Sequence, residues 1–157
     1  MKRFLLLTAS ILCATAVSAR ADVITKWNDV LHAAVRATST NPPKASRAMA
    51  ILNIAMFEAV NGIDGAYERY HVVGTPQPWA SIDAAAATAA HRVLSNLFPN
   101  PAQTTAFDAA LTQSLSGINP FLKSAGVAWG ETCAADILAL RSNDKSTLVV
   151  PLSLIHI

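Results

Sequence analysis

The sequence predicts an all-α protein, a helical bundle, on three observations. Apolar residues recur at helical spacing from Asp22 to Arg141, the breaks between the periodic stretches carry proline, glycine or asparagine, and no strand-like alternation of useful length appears. The most telling stretch follows Pro42 and Pro43, which end whatever precedes them. Ala48 to Ile63 then sets apolar residues on nearly every face, with Glu58 as its single charge. Such a helix has to be enclosed on all sides, which requires a sizeable helical protein.

Five helices follow in order. The first, roughly 25 to 38, runs to the break at Asn41-Pro42-Pro43. The second, roughly 45 to 61, is the apolar helix and is expected to stop at Gly62. The third, roughly 81 to 97, opens on Ser81 as N-cap with Asp83 in its first turn, and Ile82, Ala86, Ala90, Val93 and Leu97 step along one face. The fourth, roughly 101 to 115, takes Asn100 as cap and Pro101 at its first position, with Gln103 completing a capping box and Phe107, Leu111 and Leu115 four apart. The fifth, roughly 121 to 141, places Gly126 and Gly130 one turn apart beside Trp129 and Cys133. Glycine costs about 1 kcal/mol in a helix interior, so close approach of a neighbouring backbone is the expected compensation, and Ala84 to Ala87 invites the same contact.

The two ends read differently from the middle. Lys2 and Arg3 precede an uncharged stretch from Phe4 to Ser18 and then Ala19-Arg20-Ala21, the pattern of a secretory signal peptide over residues 1–21. That apolar stretch is short of the roughly 20 residues a membrane span needs, so the product is expected to be exported, periplasmic or secreted, and free of the membrane after cleavage. Cys13 follows Leu12 where a lipobox needs a small residue. At the other end, residues 147–157 lack periodicity, cap or charge and are read as a non-native tail. Leu152 to Ile157 look like the in-frame translation of a sequencing-library adapter, so His156 carries no functional weight.

Removing the leader leaves 9 basic against 10 acidic residues, which removes the global support for nucleic-acid binding. Cys133 is then the sole cysteine, and its apolar helical setting predicts a packed thiol without a disulfide.

Standard catalytic signatures are missing: no G-x-S-x-G elbow, no H-E-x-x-H, no C-x-x-C and no glycine-rich phosphate loop. Asp29-x-x-His32 and Glu68-x-x-His71 repeat an acid-x-x-His spacing that a di-iron bundle would use, with Glu58, Glu131 or Asp136 completing the set. Glu68 to His71, however, falls in a connection between Gly65 and Gly74 rather than in a helix. His91 reads as a hydrogen-bonded structural histidine. Ser46-Arg47, Asn53 and Phe57 match in outline the S-R-x5-H-x3-D signature of vanadate- and phosphate-binding acid phosphatases, but Asn53 and Phe57 stand where nucleophilic histidine and aspartate belong, so no catalytic role follows. Arg47 is expected to pair with Glu58 or Asp64 through tertiary contacts, or to be solvated. Trp27, Trp79 and Trp129 read as packing anchors, and Tyr67 and Tyr70, with Pro76 and Pro78, as a clamp holding the long second connection to the helices. No residue is assigned a catalytic, cofactor-binding or metal-ligating role.

Several segments together resemble the N-terminal helical region of bacterial vanadium-dependent haloperoxidase-like proteins of the type 2 phosphatidic acid phosphatase (PAP2) superfamily. They are Val23 to Asn28, Pro42-Pro43 through Arg47-Ala48-Met49-Ala50 to Ala55-Met56-Phe57-Glu58-Ala59-Val60-Asn61, Ser81 to Leu94 with Phe98-Pro99, and Gly126 to Gly130 through Ile137 to Asp144. They span nearly all of residues 22–146 and are scaffold motifs. The resemblance implies an N-terminal portion of a larger, vanadium chloroperoxidase-like helical protein whose C-terminal bundle holds vanadate. In that family a histidine bonds the metal, cations and amides surround its oxygens, and hydrogen peroxide with a halide supplies the reaction. None of the K-x6-R-P, P-S-G-H or S-R-x5-H-x3-D signatures occurs here. The chain itself is therefore expected to bind no vanadate and to be inactive, its first partner being the C-terminal helical domain of the same chain. Two alternatives stand beside this: a PAP2-type acid phosphatase parent acting on phosphomonoesters, and a non-catalytic periplasmic helical interaction protein. Faces meant for further helices also predict poor solubility and self-association.

Overall fold

A computed structural model of the chain describes residues 22–146; the expected leader, Cys13, and the tail with His156 lie outside them. The described residues form five α-helices and no strand: α1 (Val23–Ala37), α2 (Pro42–Asp64), α3 (Ile82–Leu97), α4 (Pro101–Leu115) and α5 (Pro120–Leu140). Each start has a local cause. Asp22, Asn41, Ser81, Asn100 and Asn119 sit in extended or near-extended backbone and accept a first-turn N–H through their side chains, and α2, α4 and α5 carry proline where an N–H has no helical acceptor. The capping box expected at α4 is half made. Asn100 Oδ1 takes the Ala102 N–H, while its own N–H goes back to the Phe98 carbonyl instead of to Gln103.

The enclosed helix is α3, not α2. Ala84 to Ala90 are all buried, because α3 runs through the middle of the bundle and meets each of the other four helices. Alanine and threonine make this workable: side chains of one or three heavy atoms let several neighbours approach one axis at once. α2 instead keeps Met49, Ala50 and Phe57 on an outer face, with Met49 and Phe57 each 38% exposed. Its other face, Ile51, Leu52, Ala55, Met56 and Ala59, packs into the core. α1 is held by Trp27, Leu31 and Ala34, spaced four and three apart and buried, each of the two large side chains contributing about 2–3 kcal/mol by area removed from water.

Where α3 meets α5 the two glycines perform as expected. A Cβ on Gly126 would stand 2.5 Å from the Ser81 carbonyl oxygen, and one on Gly130 would overlap the Ala85 carbonyl oxygen and sit 2.9 Å from the Thr88 Cβ. Gly62 does not stop α2. The helix runs through it to Asp64 and closes on Gly65, whose φ of 70° is the left-handed conformation a C-terminal cap requires. Gly62 lacks a side chain for a packing reason, since a Cβ there would lie 2.5 Å from the indole of Trp129.

Candidate functional site

The densest polar chemistry lies under the connection of residues 65–81, where buried Glu58 and Asn61 of α2 and half-buried Arg69 of the connection gather beside Trp129. Glu58 has no solvent exposure, and its Oε1 accepts the backbone N–H groups of Tyr70 (2.5 Å) and His71 (2.8 Å). One turn on, Asn61 donates from Nδ2 to the Tyr67 carbonyl and accepts the Tyr67 N–H at Oδ1, both at 2.8 Å. Arg69 turns inward to donate to the carbonyls of Gly62, Val72 and Gly74, and its guanidinium lies 5.2 Å from the Trp129 ring centroid. Trp129 completes the circuit by donating Nε1–H to the Ala59 carbonyl at 3.1 Å. A segment with no regular structure thus finds partners for its buried backbone groups.

Glu58 Oε2 is buried without a hydrogen-bond partner. Cys133 lies near this carboxylate, and its thiol is pushed up to about 12, by burial first and by the Glu58 charge second. A thiol so far from ionising is packing, not a nucleophile. Oε1 of Glu58 thus fastens the connection through two backbone N–H groups, while Oε2 stays unpartnered.

Other residues singled out in the sequence are accounted for individually. Asp29, His32, Glu68 and His71 are all exposed, Glu131 faces Arg92 at 3.7 Å, and among the described residues no three His, Cys, Asp or Glu side chains converge to hold a metal. His91 Nε2 lies 2.7 Å from Asp108 Oδ1 and the ring meets Trp27 edge-on at 6.4 Å, bridging α3 to α4 and α1. Asn53 exchanges amide hydrogen bonds with Asn28 at 3.0 and 3.1 Å, joining α2 to α1. Arg47 pairs with neither Glu58 nor Asp64. Its Nε donates to Asp144 at 2.6 Å and its Nη2 to the Arg141 carbonyl at 3.0 Å, so it ties the start of α2 to the end of α5. That guanidinium holds the Asp144 carboxyl down to about 2. With Arg47 committed to Asp144 and Asn53 to Asn28, the residues present do not fit a vanadate or phosphate group.

The tyrosine clamp also needs correcting. Tyr67 is 74% and Tyr70 57% exposed; their backbones are gripped by Asn61 and Glu58 while their rings face outward. Trp79, expected as an anchor, is 45% exposed and stacks on Phe121 at 5.5 Å, whereas Trp27 and Trp129 are buried as expected. The roles of Asn61 and Arg69 were missed in the sequence. A signal existed, since a lone carboxylate on an otherwise apolar helix requires donors, and a connection rich in backbone N–H groups lay a few residues downstream.

At the end of the bundle where Arg47 meets Asp144, a cleft of about 580 Å³ opens between the α1–α2 turn, the start of α2 and the α3–α4 turn. Thr38, Thr40, Lys44 and Asn100 line its polar rim, Ala48, Leu97 and Phe98 its apolar wall, and Ser146 borders it. No helix among the described residues is long and apolar enough to cross a membrane. No family model, no curated protein and no solved structure matches this chain.

Proposed function

We propose that this chain is the amino-terminal helical scaffold of an exported vanadium-dependent haloperoxidase-like enzyme, whose vanadate site belongs to a more carboxy-terminal bundle. The observation that carries the reading is how the chain divides its polar and apolar groups. Its inward polar side chains fasten the frame, buried Glu58 and Asn61 of α2 to the connection and half-buried Arg69 of the connection back to α2, while Met49, Phe57, Phe121 and Leu140 face outward on α2 and α5. A frame that spends its polar groups internally and presents apolar ones outside suits a body on which further helices pack. The all-α architecture and the scaffold segments named above support the same lineage.

The test is to recover the reading frame downstream of Ser146 from genomic DNA and express the longer protein beside the 157-residue chain. With vanadate, peroxide and bromide, the longer protein should oxidise bromide and the shorter chain should not. A longer frame lacking a histidine and convergent cations for an oxyanion would overturn the proposal, as would turnover of bromide or a phosphomonoester by the 157-residue chain alone.

A further inference from the structure

One end of the bundle gathers cations beside an apolar hollow. There α1 carries Arg36 in its last turn, α2 begins with Lys44 and Arg47, and Arg141 closes α5, while the carboxylate of Asp144 is shared by Arg47 at 2.6 Å and Arg141 at 3.4 Å. The cleft of about 580 Å³ lies at this end, and none of the described residues that line it is acidic. Its size falls within the roughly 300–1,000 Å³ of small-molecule sites, which are apolar hollows with a few placed polar groups. Ala48, Leu97, Phe98 and Pro99 supply the apolar wall.

The polar groups of the cleft divide into spent and unspent donors. Thr38 Oγ1 donates to the Ala34 carbonyl at 2.8 Å, so in its 2.7 Å contact with Thr40 the Thr40 hydroxyl is the donor, and neither hydroxyl has a hydrogen left to offer. Arg47 is committed to Asp144 and to the Arg141 carbonyl. The start of α2 adds no backbone donor, because Pro42 and Pro43 have no N–H and the Lys44 N–H goes to Asn41 Oδ1. Among the described residues, two donors stay unspent: the Lys44 ammonium, which enters no ion pair, and Asn100 Nδ2, whose companion Oδ1 takes the Ala102 N–H. Both groups can only donate, so they match a head group that only accepts, and the one unpaired ammonium matches a single negative charge.

From this division we infer that the cleft binds a small carboxylate with a single aliphatic chain, its head at Lys44 and Asn100 and its chain along Ala48, Leu97, Phe98 and Pro99. Burial of the chain supplies most of the affinity, and the rim ammonium, exposed to solvent, selects the head group. A phosphate or vanadate, with more charge, would need further cations that Asp144 has already claimed. The inference stands on this cleft and is independent of the haloperoxidase reading.

Equilibrium dialysis of decanoate against the full chain, below its micelle concentration, tests it, with decanol as the uncharged chain of equal length. Decanoate should bind saturably. Lys44→Gln should weaken decanoate by about three-fold or more while leaving decanol within about two-fold, and Lys44→Arg should restore decanoate binding. Lys44 is exposed, so these variants leave the fold intact. Lys26→Gln, near the start of α1 at the other end of the bundle, removes the same charge and should change neither ligand. A decanoate analogue with a photoactivatable diazirine on its chain should label residues 38–48 and 97–100, and excess decanoate should suppress that label. Non-saturable binding, equal losses of decanoate and decanol in Lys44→Gln, a loss in Lys26→Gln as large as in Lys44→Gln, or labelling centred on the exposed Trp79 and Phe121 would each overturn the inference.

Discussion

Adding one methyl group at Gly130 isolates the α3–α5 contact from every other source of stability. On helix propensity alone, Gly130→Ala should stabilise α5 by about 1 kcal/mol. The structure reverses the sign. The new Cβ would overlap the Ala85 carbonyl oxygen and lie 2.9 Å from the Thr88 Cβ and 3.1 Å from the Ala85 carbonyl carbon, where ordinary carbon contacts are about 3.5–4.0 Å. These are backbone and β-carbon atoms of the buried 84–90 stretch of α3, so no flexible side chain can yield. The helices must part by roughly 0.5–1 Å, and overpacking of this kind costs about 1–3 kcal/mol, with a further quarter to a half of each neighbouring contact forfeited across the gap. Set against the propensity gain, the net expectation is a destabilisation of about 1 kcal/mol, or roughly 3–5 °C in Tm for a domain of this size. Urea unfolding followed by helical circular dichroism measures it, with Ser124→Ala, exposed on the same helix, as the control expected within about 0.5 kcal/mol of the parent. If Gly130→Ala proves as stable as the parent or more so, the close crossing of α3 and α5 is wrong.

Three further expectations use the same material. Trp129→Phe loses the bond to the Ala59 carbonyl and weakens the seat of Arg69, and should destabilise by about 1–2 kcal/mol, with faster amide exchange at Tyr70 and His71 than in a Leu138→Val control. The Asp144 carboxyl is depressed to about 2 in the folded state, so its contribution is complete above the unfolded value of about 4 and is lost as pH falls through 2. Acid titration of the unfolding midpoint should therefore flatten between pH 4 and 2 in Asp144→Asn. Because the Cys133 thiol is raised from 9.0 to about 12, the folded state favours its neutral form, and stability should fall as pH rises from about 9 toward 12. At pH 8 an aromatic disulfide reagent should label Cys133 only as fast as the chain unfolds; rapid labelling of the native protein would contradict the burial.

The sequence by itself determined five helices and the starts of α3 and α4, because caps are local chemistry: the Ser81 and Asn100 oxygens reach an N–H two or three residues on, and Pro101 stands where no donor is needed, whereas α2 begins on Pro42 itself, three residues ahead of the start expected near 45. It also determined that Gly126 and Gly130 mark a close contact, since two glycines one turn apart in a helix have few other justifications. Tertiary structure decided what no local rule encodes. It chose α3 over α2 as the enclosed helix, because enclosure by four neighbours depends on how thin a helix is as well as on how apolar it is. It kept α2 running through Gly62, because the Trp129 indole needed that space, and left the stop to Gly65. It gave Arg47 to Asp144, 97 residues away, and gave Glu58 the backbone of a connection whose tyrosines had seemed to be the clamp. Long-range partners of a charged or polar side chain are set by which surfaces meet, and that follows from packing the whole bundle.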